Sequence, residues 1–213
     1  VLVSIKDQNI IPQTYYRWFR NLFKEAEYRK HKNQRNGKKE EVYFDKITSR
    51  IKKLIKPSEE KHINATSVGQ KVVTFIHDGI TTEELDILSS EISISLYSTD
   101  TDYKILASRI IISNHHKNTD ASFLKVVSDL YNFKDIHNKQ SPLVSKEMYD
   151  IVSEHSDKIQ SYFDFNRDYL MDYFGFKTLE RAYMLRIGKR ILERPQHMWM
   201  RVSVAIHGKD LKR

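Results

Sequence analysis

The sequence predicts a mainly α fold, in which a small β-hairpin sheet lies over a four-helix unit and an all-helical stretch follows. Glycine and proline are scarce, 6 and 4 in 213 residues, so few tight turns are encoded. Apolar residues recur at i, i+4, i+7 and i+8, the spacing of one helix face. The breaks between these periodic segments are short and polar.

Composition narrows the function classes. Apolar residues make up 39%, enough to bury a core, and charged residues 30%, which suits a soluble protein. There is no cysteine, which excludes disulfides, thiolate zinc sites, iron–sulfur clusters and thiol chemistry within these residues and fits a cytoplasmic protein. No apolar run is long enough to span a membrane. The opening VLVSIKDQNII has no basic stretch ahead of an apolar one, so it is not a secretory signal, and without an initiator Met it fits a fragment or a processed product. The net charge is +8, and residues 1–40 hold ten Lys and Arg against four Asp and Glu. A basic front of this kind is either a solvated segment or a contact for a polyanion such as nucleotide phosphate or nucleic acid.

Residues 1–33 read as an unassigned basic extension, with TYYRWFRNLFKEAEYRKHK as a short amphipathic helix bearing Trp18, Leu22 and Phe23 near one face. Asn36-Gly37 is a favoured hairpin-turn dipeptide, since both positions tolerate positive φ. Val42 and Phe44 alternate with Glu41 and Tyr43, which predicts a strand after the turn. In FDKITSRIKKLIKP, Ile47, Ile51, Leu54 and Ile55 share a helix face that Pro57 ends. NATSVGQKVVTFIHDG repeats the spacing with Val68, Val72, Val73 and Ile76, and Gly79 is the expected C-cap. TTEELDILSSEISISLY opens with a Thr81–Glu84 capping box and continues as a stripe of Leu85, Leu88, Ile92 and Leu96. YKILASRIIISNHHK completes the four helices of a unit over residues 34–122. Residues 123–213 remain helical by pattern through FLKVVSDLYNF, VSKEMYDIVSEHSDKIQSYF, FKTLERAYML and HMWMRVSVAIHG.

The stretches FDKITSRI, GITTEELD and DYKILASRIIISNHHK resemble the ATP-cone at the front of class I ribonucleotide reductase large subunits. The later segments DYFGFKTLERAYML and ERPQHMWMRVSVAIHG resemble the next stretch of the same subunit, in the same order, so that the likeness covers about residues 35–210 and is closest to eukaryotic and viral forms. By this resemblance the effector site falls on Arg35, on Glu40, Glu41, Val42, Tyr43, Phe44, Asp45 and Lys46, and on Thr82, Asp86 and Lys117. The expected ligand is ATP or dATP, with Mg.

The residue types suit that ligand. A triphosphate needs converging cations and N–H donors, which Arg35, Lys46 and a folded-back Lys117 would supply. Thr82 lies in a first helical turn, where backbone N–H groups favour an anion. Asp86, one turn on, would accept from a ribose hydroxyl, and Glu40 would accept from an adenine amino group or orient a neighbouring cation. Taken singly, Lys46 and Lys117 read as solvated helix lysines, Thr82 as a first-turn residue and Asp86 as a surface carboxylate. The family pattern has an apolar strand ending in Lys-Arg before the turn. Here the residues are KHKNQ, Gln34 stands where that Lys would be, and Lys32 is the candidate substitute. One phosphate ligand and one strand are thereby put in question.

Other constellations carry little chemistry. Adjacent His115 and His116 point about 100° apart on a helix, which does not suit chelation of one metal, and they read as polar helix positions. His197 reads as a packing or hydrogen-bonding residue. Met198, Trp199 and Met200 with Tyr183 and Met184 read as packing beneath a larger domain, with Trp199 partly exposed. No P-loop, GxGxxG or GxSxG motif is present.

The resemblance implies reduction of ribonucleoside diphosphates to deoxyribonucleotides by a cysteine thiyl radical and a redox cysteine pair, in assembly with a second large subunit and a small radical-generating subunit. These residues hold none of those cysteines, so this polypeptide is expected to be inactive alone and to carry the overall-activity switch, ATP activating and dATP inhibiting. A stand-alone nucleotide-sensing module and a basic nucleic-acid-binding helical domain are the alternatives. A cysteine zinc ribbon would mark the first, and steep, ATP-independent salt dependence the second.

Overall fold

A computed structural model of the chain describes residues 31–34 and 37–210. The amphipathic segment expected near the front, and the candidate residues Arg35 and Asn36, lie outside the described residues.

Strand β1 (His31–Asn33) pairs antiparallel with β2 (Lys39–Glu41), placing Lys32 opposite Glu40. It also pairs parallel with β3 (Ile80–Thr81), Lys32 lying opposite Ile80, so the order is β2-β1-β3. The strand put in question by its polar residues therefore forms, and it is central: its backbone groups pair on both edges, which needs no apolar side chain. Gly37 takes a φ of 79° in the turn, where its N–H donates to the Gln34 carbonyl at 2.9 Å. The strand expected over Val42 and Phe44 is displaced towards the N-terminus. Pairing stops at Glu41, Val42 packs on the core, and extended Tyr43 stands as N-cap of α1 (Phe44–Lys52).

Helix α1 buries Ile47 and Ile51 and stops short of Pro57. The backbone tightens after Lys52, Leu54 N–H bonding to Ile51 O at 3.0 Å, and Leu54 and Ile55 reach the core from turns beyond the helix. Asn64 caps α2 (Ala65–Phe75) by accepting from Ser67 N–H at 3.0 Å. This helix ends at Phe75 with Ile76 extended, so Gly79 is not its C-cap. Gly79 instead supplies a φ of 78° to the turn into β3. Helix α3 (Thr82–Ser95) starts with the expected capping box: Glu84 N–H donates to Thr81 Oγ1 at 3.1 Å, and Thr81 N–H to Glu84 Oε2 at 2.8 Å.

Helix α4 (Asp102–Asn118) has two apolar faces. Tyr103, Leu106 and Ile110 complete the core beneath the sheet, with Ile51, Val68, Val72 and Leu85. Ala107, Ile111 and Ile112 pack on Tyr173, Phe176, Met184 and Met198 from the second half of the chain. That half comprises α5 (Phe123–Tyr131), α6 (Lys146–Glu154), α7 (Ser156–Gln160), a 3-10 turn at Phe165–Leu170, α8 (Tyr173–Ala182) and α9 (Pro195–His207). A hairpin, β4 (Arg186–Ile187) and β5 (Arg190–Ile191), interrupts the helices, with Gly188 at a φ of 59°. Phe123, Val127, Leu130, Val152 and Ile159 centre its own core. No helix among the described residues is long and apolar enough to cross a membrane.

The join between the halves is also polar and buried. His116 Nε2 lies 2.7 Å from Asp168 Oδ2, and Gln196 donates to the other oxygen of that carboxylate at 2.9 Å. Arg194 reaches back to the His116 and Thr119 carbonyls at 3.0 and 3.1 Å and lies over the Phe165 ring. His115 bonds to the Glu193 carbonyl at 2.9 Å, while the fully buried Glu193 carboxylate accepts from Arg201 Nε at 2.6 Å and Leu185 N–H at 2.7 Å. His115 and His116 are thus parts of a joint, where the sequence suggested ordinary polar positions. His197 accepts from Arg194 N–H at 3.3 Å among the rings of Phe123, Phe163 and Phe165, the packing and hydrogen-bonding role expected. Met184 and Met198 are buried, and Trp199 is half exposed.

Candidate functional site

A cationic cluster forms where the sheet meets α1, α3 and α4. Lys32 and Glu40 face each other across the β1–β2 ladder and form an ion pair at 3.8 Å. Glu40 also accepts from Gln34 Nε2 and from Lys46 in the first turn of α1. Lys46 lies 5.2 Å from the centre of the Tyr43 ring, and the Tyr43 hydroxyl donates to Glu41 at 3.1 Å. Burial, and next the Lys46 ammonium, hold Lys32 below the usual lysine pKa, while Asp86 acts in the opposite sense. Lys32 therefore links the Glu40 side of the cluster to the Asp86 side.

Asp86 is buried in α3 despite its charge. Arg50 approaches it from α1 with Nε on Oδ1 at 3.4 Å and Nη2 on Oδ2 at 3.5 Å. Lys117 approaches from the last turn of α4, Nζ to Oδ2 at 3.2 Å. Arg50 Nη2 also donates to Ser113 Oγ, one turn before Lys117, at 2.9 Å. Lys32, Lys46, Arg50 and Lys117 thus face two carboxylates, Glu40 and Asp86, and two positive charges remain in excess among these six side chains. Beside them, Thr82 opens α3, where the helix dipole favours an anion and where Glu83 and Glu84 also stand in the first turn.

Of the residues named from the sequence, Glu40, Lys46, Asp86 and Lys117 come together, and Thr82 stands at the adjoining helix start. Val42 and Phe44 instead anchor the segment: Val42 packs on the core, and the Phe44 ring lies against Gly69. Asp45 is an exposed first-turn acid. Gln34 joins the cluster as a hydrogen-bond donor to Glu40, and Lys32 brings a cation to the same carboxylate. Arg50 and Ser113 were missed. Their signal was one of spacing: Arg50 follows Lys46 by four residues and Ser113 precedes Lys117 by four, each on its partner's helix face.

An ATP cone domain matches residues 33–118, and the all-alpha domain of ribonucleotide reductase matches residues 169–213. The ribonucleoside-diphosphate reductase large subunit of Monkeypox virus is 48% identical over 179 residues, 84% of this chain and 23% of that protein. The large chain of Schizosaccharomyces pombe is 43% identical over 180 residues, covering 84% and 22% respectively. The Danio rerio large subunit is 44% identical over 182 residues, covering 85% and 23%. The chain spans less than a quarter of the length of these relatives. An ATP cone followed further along by the reductase all-alpha domain, with large subunits 43–48% identical over 84–85% of this chain, places the chain in the ribonucleoside-diphosphate reductase large-subunit family.

Proposed function

We propose that the cone binds a purine nucleoside triphosphate, ATP or dATP with Mg, and acts as the overall-activity switch of a ribonucleotide reductase. The observation that carries this is the meeting of Lys32, Lys46, Arg50 and Lys117, drawn from β1, α1 and α4, beside the first turn of α3. Several cations converging beside helix N–H groups suit a polyphosphate. Glu40 orients two of them. Gln34 in place of a lysine costs one charge at the phosphate end, and Lys32 supplies one from the same strand.

ATP and dATP differ by one hydroxyl, so a switch between them needs a contact near the sugar, and Asp86 would be its acceptor. A nucleotide shifts assembly only through different affinities for two states. ATP would favour an active assembly with a second large subunit and the small radical-generating subunit, and dATP an inhibited oligomer. Reduction of ribonucleoside diphosphates belongs to that assembly, in the cytoplasm, and its cysteine chemistry comes from outside these residues, which contain no cysteine. The buried contacts of His115, His116, Asp168 and Arg194 would link a change in the cone to the second half of the chain.

Isothermal titration of the chain with MgATP and Mg-dATP tests the reading, with Asp86→Asn as control. Saturable binding, tighter for dATP and equalised by Asp86→Asn, supports it. No binding of either nucleotide by folded protein would refute it.

A further inference from the structure

We propose that Arg50, braced by Ser113, is a positioning residue that sets the ATP-to-dATP preference by fixing the plane of the Asp86 carboxylate. This rests on the effector reading above and goes beyond it, since it assigns discrimination to a side chain distinct from the nucleotide contact.

Asp86 is gripped by two cations of different kinds. Lys117 offers a compact ammonium on a flexible stem, its side chain 39% exposed, and a carboxylate can rotate under such a point charge with little change in energy. Arg50 offers a planar fork, Nε 3.4 Å from one oxygen and Nη2 3.5 Å from the other, which favours one rotation of the carboxylate over others. The fork is itself held, because Nη2 also donates to Ser113 Oγ at 2.9 Å. The chain of contacts thus runs from α4 through Arg50 of α1 to Asp86 of α3, crossing separations of 63 and 36 residues.

Phosphate attraction and sugar reading make different demands. The triphosphate responds to the number of cations, which a lysine at position 50 would preserve. A single hydroxyl is read only if its acceptor is held in one direction, because hydrogen bonds weaken steeply off axis. Loss of the fork with retention of charge should therefore flatten discrimination and leave overall affinity nearly intact. A merely structural role for Arg50 would lower both affinities together.

The test is isothermal titration of the full chain, wild type, Arg50→Lys and Ser113→Ala, with MgATP and Mg-dATP, folding of each being checked by circular dichroism. Expected is a drop of about tenfold in the ratio of the two dissociation constants for Arg50→Lys, the scale of one oriented hydrogen bond to a charged group. Ser113→Ala, which keeps Arg50, should move the ratio in the same direction by about threefold and serves as the readout if Arg50→Lys fails to fold. An unchanged ratio in both folded variants, or an equal loss of affinity for both nucleotides, overturns the proposal while the effector reading stands. Failure of folded wild-type protein to bind either nucleotide overturns the effector reading and this proposal with it.

Discussion

Acidification from pH 7 to pH 5 should destabilise the chain through His115 and His197. Burial pushes His115 down to about 4, against the opposing effect of its hydrogen bond to the Glu193 carbonyl and with Glu180, His116 and Arg194 as neighbouring charges. Burial, followed by the Arg194 guanidinium, pushes His197 down to about 4, with Asp168 and Asp120 acting the other way. Both rings are almost wholly removed from solvent, 5% and 0% exposed. An unfolded histidine titrates near about 6.5. As the pH falls, the unfolded chain therefore takes up these protons first, and the stability present above about 6.5 is lost progressively down to the folded value near about 4. Each histidine costs about 1.4 kcal/mol per pH unit inside that window. Between pH 7 and pH 5 this amounts to about 2 kcal/mol per ring and about 4 kcal/mol for the pair, a large part of the stability of an ordinary domain. The carboxylates held low by their partners, such as Glu59 beside Arg109 and Asp120 beside Lys125, weaken the fold only as the pH drops further. The assay is urea denaturation followed by tryptophan fluorescence at half-unit pH steps. His197→Phe, which places an apolar ring among Phe123, Phe163 and Phe165, should roughly halve the slope. A stability that stays flat from pH 7 to pH 5, or a slope unchanged by His197→Phe, would show that the folded joint accepts these protons and that the burial argument is wrong.

Two further substitutions probe the frame of the site and the joint. A methyl group at Gly69 of α2 would come 2.8 Å from Thr48 Oγ1 and 3.2 Å from the Phe44 ring, both on α1. Gly69→Ala should thus cost about 1–3 kcal/mol in urea denaturation and, because α1 carries Lys46 and Arg50, weaken nucleotide binding by titration; unchanged values in both would deny that this close approach sets α1. Glu193→Ala leaves the Arg201 guanidinium and the Leu185 N–H without their buried acceptor. A loss of about 3–5 kcal/mol is expected, and a thermal midpoint within a degree or two of wild type would mean that solvent replaces the carboxylate.

The sequence by itself determined what depends on neighbours within a few turns. The Thr81–Glu84 capping box and the α1 and α3 stripes are local arrangements, and they form where the residues predicted. The candidate cluster was legible in Glu40, Lys46, Asp86 and Lys117, because each stands in a segment with a family pattern. Element ends were less legible. The α1 helix closes at Lys52 although its apolar spacing continues to Ile55, because tighter turns also deliver Leu54 and Ile55 to the core. Tertiary structure alone decided the rest. Helix α4 shows no single stripe, since Ile110 and Ile111, adjacent in sequence, enter two different cores. The polar strand β1 forms because its partners are supplied from both sides, one of them about fifty residues along the chain. The Arg194–Thr119 and His115–Glu193 contacts join residues 75 and 78 apart, and no periodicity encodes such distances. Arg50 shares a helix face with Lys46, but that spacing does not name its partner. Hydrophobic spacing records which face of a helix is buried, whereas the partner of a charged side chain is fixed only when three helices have packed and the energetic cost of burying an unpaired charge selects it.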